Sequence, residues 1–138
     1  MTRSERWLRI VLLLGGLGSL GALPAVVMPR AWMSACHQWL GLGPLPAGPI
    51  VEYLARSLSA FYAFFGGLCV LISFHPRRHG AIVLYVGATH VVFAAVLLCV
   101  DLAAGMPLSW TVPEVLAAGG FGAVILLLHF GAKAKPQS

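Results

Sequence analysis

The residues best placed to do chemistry are two charged side chains inside an apolar segment that begins near Pro49. Glu52 and Arg56 stand four residues apart, which is the helical spacing and order that favours an ion pair. Because a charge near hydrocarbon is costly, such groups usually face a protein interior and have partners. The planar guanidinium of arginine stays charged and can bind two carboxylates. The pair therefore predicts either an ion-pair clasp between helices or the anion anchor of a ligand pocket.

Three further charged residues extend this hypothesis. Asp101 and Glu114 stand at the ends of other apolar segments, and Arg30 lies in the longest connection. The topology derived below places all three at the same outer level as Glu52 and Arg56, so we predict one polar cluster. A clasp is the simpler interpretation, because charges at helix ends commonly cap helices or snorkel to the interface. The alternative is an outward-facing pocket, anchored by Arg56, for a lipid headgroup, a quinone-like ring or another small ligand.

His90 is the most unusual polar residue, because it stands near the middle of an apolar segment. A histidine at that depth can ligate haem, relay protons or hydrogen-bond to a neighbouring helix. Haem held by two histidines needs a second one at the same depth. His75, His79 and His129 lie near one end of the crossings and His37 lies beyond the other, so only a second copy of the chain could supply it. We interpret His90 as an intramembrane polar residue that hydrogen-bonds between helices.

The remaining residues do not assemble a catalytic or metal site. Ser57 and Ser59 lie near the charged pair, but no histidine is placed to activate either hydroxyl. Cys36, Cys69 and Cys99 form no CxxC pair and no His/Cys metal spacing. Such cysteines usually act as small buried hydrophobic residues. A disulfide between Cys36 and Cys99 is also possible. We therefore predict no catalytic residues, no metal and no cofactor.

Composition defines the elements that must position these residues. The chain has 138 residues, of which 59% are hydrophobic and 9% charged, whereas soluble domains carry about 25% charged residues. Four apolar segments approach the ~20 residues that a transmembrane helix needs. They span about 8–28, 50–74, 81–100 and 111–130. We predict a single all-α domain, an integral membrane four-helix bundle, and no nucleic-acid binding, since no basic stripe with interleaved aromatics occurs.

The distribution of basic residues predicts the orientation of this bundle. With four crossings, seven of the nine lysines and arginines fall on one side, namely Arg3, Arg6, Arg9, Arg77, Arg78, Lys133 and Lys135. Only Arg30 and Arg56 fall on the other side. By the positive-inside rule the first group marks the cytoplasm. Both termini are therefore predicted to be cytoplasmic.

A short amphipathic helix is predicted in the connection between the first two crossings, at about residues 31–40. Apolar residues recur there on one side at helical spacing, namely Trp32, Ala35, Cys36, Trp39 and Leu40. Ser34, His37 and Gln38 occupy the other side. This pattern is typical of a helix lying in the membrane interface, with tryptophans at headgroup depth.

Two local patterns predict how helices pack and begin. Small residues recur every four positions in the second crossing, at Ala55, Ser59, Ala63 and Gly67, and such a ridge lets another helix approach closely. Thr111 and Glu114 have the spacing of a capping box at the start of the fourth crossing.

The order of several of these features resembles a known group of proteins. The sequence has Leu54-x-Arg56 followed by Tyr62 and Gly66-Gly67, then the basic turn 75–80, and later Asp101 to Pro107 before Glu114. This layout resembles the DoxX-like group of small four-helix bacterial membrane proteins and its neighbouring families of unknown function. The resemblance implies a multi-pass protein of the bacterial cytoplasmic membrane. Some DoxX-like proteins are linked to quinone or thiol redox complexes, but this sequence lacks a pattern that carries such an activity over.

The functional prediction is a non-enzymatic integral membrane protein, acting as an accessory or self-associating subunit. Its partners are then the lipid bilayer and either further copies of itself or a larger membrane complex. The alternative is a membrane protein that binds a lipid, quinone or other small molecule, acting as a redox partner through the pocket anchored by Arg56.

Overall fold

In a computed structural model the chain is all-helical, and the structure describes residues 2–133. No strand occurs in that range. The helices are α1 (Arg3–Leu20), α2 (Leu23–Val27), α3 (Arg30–Trp39), α4 (Pro49–Phe74), α5 (Gly80–Ala104) and α6 (Leu108–Lys133). The predicted basic residue Lys135 lies outside the described residues.

Four helical stretches are long and apolar enough to cross a membrane, which confirms that part of the predicted architecture. They are Arg3–Val27, Pro49–Phe74, Gly80–Ala104 and Leu108–Ala132. Large apolar side chains such as Phe64 and Leu127 are exposed along them, as lipid-facing side chains are in a protein whose solvent is hydrocarbon. The cytoplasmic location of the termini stays a prediction.

The first apolar stretch is broken near its C-terminal end. α1 ends at Leu20, and α2 begins at Leu23 with Pro24 in its first turn. A proline has no backbone N–H and clashes with the preceding turn, so a continuous helix cannot pass through Pro24 without losing a hydrogen bond. The segment predicted at 8–28 therefore consists of α1 and the short helix α2. The last carbonyls of α2 have no partner within that helix and need hydrogen-bond donors from elsewhere.

A tight turn joins α5 to α6. Gly105 adopts a left-handed conformation with φ 69°, and its N–H donates to the Leu102 carbonyl while Met106 N–H donates to the Asp101 carbonyl. This is the Schellman arrangement that ends helices. α6 then begins at Leu108, with the Pro107 carbonyl accepting the N–H groups of Trp110 and Thr111. Because this turn starts α6 three residues early, the capping box predicted at Thr111 is wrong.

The chain divides into two compact units. Among the described residues, one comprises 2–15 and 69–133, and the other comprises 16–68. We call them the larger and the smaller unit. In the larger unit α5 packs against α6, and the fully buried side chains include Leu12, Val83, Val86 and Ile125. Gly122 brings the two helices close, since a Cβ atom there would lie 2.6 Å from the Gly87 carbonyl oxygen.

In the smaller unit, α4 packs on the end of α1 through Gly66. A Cβ atom at Gly66 would lie 2.5 Å from the Gly16 carbonyl oxygen, whereas a Cβ atom at Gly67 would have no atom within 4 Å. Ala63 is buried beside this contact. The predicted ridge of small residues therefore continues from Ala63 to Gly66 and not to Gly67.

α3 begins and ends within one residue of the bounds predicted for the amphipathic helix, and Gln38 of the predicted polar side is exposed together with the apolar residues. The apolar residues Trp32, Ala35, Cys36, Trp39 and Leu40 are all exposed, with Trp39 85% and Trp32 66% accessible. Met33, Ser34 and His37 are half-buried. The apolar face thus points away from the protein, as an interfacial helix requires. Its location in a membrane interface stays a prediction.

The three cysteines are free thiols, and they differ in burial. Cys69 is 1% exposed, as expected for a small core residue, while Cys36 and Cys99 are exposed.

Candidate functional site

The centre of the candidate site is a cluster of three charged residues in the smaller unit. Arg30 opens α3, and α4 carries Glu52 and Arg56 one turn apart on the same face. The Arg30 guanidinium donates to the Glu52 carboxylate at 2.7 Å and to the Pro46 carbonyl at 3.0 Å. We call Arg30, Glu52 and Arg56 the outer clasp. Through the bonds of Arg30 it joins α3, the following connection and α4.

Arg56 is held chiefly by backbone oxygens. Its two terminal nitrogens donate to the carbonyls of Val26 at 2.7 Å and Met28 at 3.0 Å. These carbonyls lie where α2 ends at Val27, and the last carbonyls of a helix have no partner within that helix. A cation at this end also faces the negative end of the helix dipole. Arg56 therefore caps the short helix that Pro24 separates from α1.

Glu52 is shared between the two arginines. The four-residue pair Glu52–Arg56 is present, but its closest approach is 3.8 Å, against 2.7 Å for Arg30–Glu52. The closer partner of Glu52 is thus the arginine 22 residues earlier in the chain. All three side chains are about one-third exposed, at 39%, 32% and 34% for Arg30, Glu52 and Arg56. Exposed pairs stabilise by about 0–1 kcal/mol, so the hydrogen bonds from Arg56 to the backbone carbonyls dominate the clasp.

Asp101 and Glu114 form a second acidic pair, in the larger unit. The Glu114 carboxyl lies beside the side chains of Asp101 and Trp110. Asp101 belongs to the last turn of α5 and is 6% exposed, so this residue at the end of its apolar segment is buried. Within residues 2–133, its Oδ2 oxygen is buried without a hydrogen-bond donor. The predicted connection from this pair to Arg56 would join the two units, and it stays a prediction.

Thr111 lies one turn before Glu114 on the same face of α6. It is 1% exposed, and its hydroxyl oxygen has no hydrogen-bond partner in the described part of the chain. A buried hydroxyl without a partner is destabilising. The junction of α5 and α6 therefore contains buried oxygen atoms that local sequence patterns do not reveal.

His90 hydrogen-bonds within its own helix. Its Nδ1 atom lies 2.9 Å from the Val86 carbonyl oxygen, and since a carbonyl only accepts, Nδ1 carries the proton in this contact. The ring meets Phe121 of α6 edge-on, with centroids 4.9 Å apart. His90 therefore contacts the neighbouring helix through an aromatic pair, while this hydrogen bond is local. No three His, Cys, Asp or Glu side chains of the described range come together as a metal site.

Sequence reasoning missed the backbone partners of Arg56 and the close contact of Gly66. The proline pattern around Val26 and Met28 carries a signal for the former, because Pro24 and Pro29 enclose a helix too short to satisfy its own carbonyls. Gly66 and Gly67 are adjacent, so either could be the glycine of α4 that contacts another helix. Only the packing against α1 distinguishes them.

The comparisons with known proteins add no family. No family model, curated protein or solved structure matches the chain significantly. The resemblance to the DoxX-like group stays a prediction. What the fold supports is a multi-pass membrane protein with four apolar helices.

Proposed function

We propose that this chain is an accessory or self-associating subunit of the bacterial cytoplasmic membrane, belonging to the DoxX-like group, and that its charged residues hold the outer end together. The observation that supports this function best is the bonding of Arg56. Both terminal nitrogens of its guanidinium donate to backbone carbonyls, those of Val26 and Met28. A group committed in this way stabilises the break in the first crossing.

The same geometry weighs against the alternative function. A ligand pocket anchored by Arg56 requires the guanidinium to turn its donors toward an anion. It would have to give up its bonds to the two carbonyls, which would then be left without these donors close to hydrocarbon. Unpartnered polar groups there cost several kcal/mol. Binding of a quinone or lipid headgroup would have to compensate for this lost free energy. The clasp is therefore the better-supported role of Arg56.

The exposed apolar surface supports the self-association part of this proposal. Large apolar side chains cover the outside of each crossing, including Phe61 and Phe64 on α4 and Leu116 and Leu127 on α6. Such faces accept lipid tails or helices of another chain. Since the residues of the outer clasp are bonded to one another and to the backbone, the apolar helix faces are the surface that we propose for association.

The test compares Arg56→Gln with Arg6→Gln, which removes one exposed arginine outside the clasp. Hydrogen bonds to charged groups contribute about 1.5–3 kcal/mol each, less when they are partly exposed. We therefore expect Arg56→Gln to lower the unfolding free energy by about 1–3 kcal/mol, a fall in Tm of about 4–12 °C. Arg6→Gln should leave Tm unchanged. Thermal unfolding of the purified protein in detergent, followed by circular dichroism, measures both.

Mass spectrometry of the small molecules and proteins that co-purify completes the test. The clasp predicts the same small molecules with wild type and with Arg56→Gln. Retained stability together with loss of a co-purifying lipid or quinone would assign Arg56 to a pocket. Native mass spectrometry of the same samples reports subunit association, and a monomer without partner proteins would contradict the proposed subunit role.

A further inference from the structure

A second charged site lies in the larger unit, where α4 ends at Phe74. A cavity of about 210 Å³ opens there between the first turns of α1 and the turn that joins α4 to α5. It is lined chiefly by charged and aromatic side chains, namely Glu5, Arg9, Phe74, His75, Arg77 and Arg78. Pockets for drug-sized ligands measure about 300–1,000 Å³, so this cavity suits a small group.

Glu5, the one acid among the described residues that line this cavity, already has partners. Its carboxylate accepts a hydrogen bond from Thr2 N–H at 3.3 Å, and the Thr2 hydroxyl accepts from Glu5 N–H at 3.2 Å, which is a capping box at the start of α1. The same carboxylate pairs with Arg77 at 2.9 Å. Glu5 therefore fixes α1 to the turn and neutralises one of the three arginines.

The other two arginines leave the cavity positively charged. Arg9 lies over the ring of Phe74, with its guanidinium carbon 5.9 Å from the ring centroid, and such stacking leaves the N–H groups at the guanidinium edge available. Arg78 is exposed, and in the part of the chain that the structure describes no carboxylate lies within ion-pair distance of it. Two arginine side chains without a carboxylate partner among the described residues thus line one small space. That arrangement suits a phosphate group, which accepts paired N–H donors.

The height of the cavity along the helices fits the same ligand. It lies where α4 ends at Phe74 and α5 begins at Gly80, hence at the edge of the apolar stretch. Trp7 and Phe74 are each about half exposed at this level, as aromatic residues are at headgroup depth. Basic pockets between helices on the cytoplasmic side are suited to anionic lipid headgroups.

We propose that this cavity is a binding site for a phosphate group, with Arg9 and Arg78 as the anion-binding residues and the Glu5–Arg77 pair as the support that positions them. The phosphate can belong to an anionic phospholipid of the adjoining leaflet or to free inorganic phosphate. The site is separate from the outer clasp, and it does not depend on the subunit role proposed above.

The experiment is native mass spectrometry of the full chain, titrated with three probes. These are dioleoyl phosphatidylglycerol, dioleoyl phosphatidylcholine and inorganic phosphate. Arg78→Gln is compared with Arg6→Gln, which removes the same charge from an exposed position outside the cavity. We expect phosphatidylglycerol or inorganic phosphate to bind wild type and Arg6→Gln alike, and to bind Arg78→Gln about tenfold more weakly. The probe that shows this pattern identifies the source of the phosphate.

Arg78→Lys distinguishes a loss of binding from a loss of folding. Lysine keeps the charge but lacks the paired donors, so binding should be intermediate while Tm stays that of wild type. Equal weakening by Arg6→Gln and Arg78→Gln would show attraction to net charge alone and overturn the proposal. Binding of phosphatidylcholine as tight as that of phosphatidylglycerol would also overturn it, as would a failure of both anionic probes to bind wild type.

Discussion

Replacing Gly66 by alanine tests the packing of α4 on α1 at its closest point. The added methyl group would lie 2.5 Å from the Gly16 carbonyl oxygen, 2.7 Å from the Leu20 nitrogen and 2.9 Å from the Ser19 Cβ atom. Two of these three atoms belong to the backbone of α1, so no side-chain rotation can make room. The helices must separate by roughly 0.5–1 Å, and overpacking of this kind costs about 1–3 kcal/mol.

The neighbouring residue supplies a matched control. Gly67→Ala makes the same chemical change one position further along α4, where a Cβ atom meets nothing within 4 Å. Both variants gain the same helix propensity, about 0.5–1 kcal/mol for glycine to alanine. The difference between them therefore isolates the packing cost. We expect Gly66→Ala to be less stable than Gly67→Ala by about 1–3 kcal/mol, or about 4–12 °C in Tm.

Thermal unfolding of both variants in the same detergent, followed by circular dichroism, provides the measurement. Gly67→Ala should unfold at or slightly above the temperature of wild type. Equal stability of the two variants would refute the close contact of Gly66 with Gly16. Destabilisation by Gly67→Ala alone would instead restore Gly67 as the packed member of the ridge that the four-residue spacing predicts.

The remaining predictions concern α6. Gly122→Ala would bring a methyl group to 2.6 Å from the Gly87 carbonyl oxygen, whereas Gly120→Ala meets nothing within 4 Å. We expect the first to cost about 1–3 kcal/mol and the second to be neutral or stabilising in the same unfolding assay; a harmless Gly122→Ala would contradict the α5–α6 contact. Thr111→Val removes a buried hydroxyl that has no hydrogen-bond partner among the described residues, so Tm should stay unchanged or rise. If Thr111 were a capping residue, its replacement would instead lower the unfolding free energy by about 0.5–2 kcal/mol. A fall in Tm corresponding to that loss would restore the capping box.

The sequence predicted the four apolar helices, and the reason is the solvent. Every backbone polar group in a bilayer must be satisfied within the protein, which leaves helices as the means of crossing for such apolar stretches. Length and hydropathy then suffice to count four of them. Prolines and glycines also act locally, so the break at Pro24 could be predicted. The position of Leu108 as the start of α6 could not, because the Gly105 turn and the Pro107 carbonyl determine it together.

The sequence indicated that the charged residues of the outer clasp need partners, but it did not indicate which bonds they make. The charge of Arg56 in an apolar segment indicated that it needs partners, and its spacing from Glu52 indicated one. Its closer partners are the carbonyls of Val26 and Met28, about thirty residues earlier in the chain. Backbone oxygens are the same in every residue type, so sequence cannot mark which of them a side chain reaches. Arg30 was placed at the correct end, but its 2.7 Å contact with Glu52 depends on how α3 folds back.

Sequence alone thus determined that this is a membrane protein with four apolar helices, a short helix between the first two and a charged pair at the start of the second. Tertiary structure decided which faces of the crossings meet, that Gly66 and not Gly67 touches α1, and that Asp101 is buried. In a soluble helix the apolar face marks the core. In a membrane the lipid-facing side is as apolar as the packed side, so hydrophobic periodicity cannot distinguish them, and only the assembled helices can.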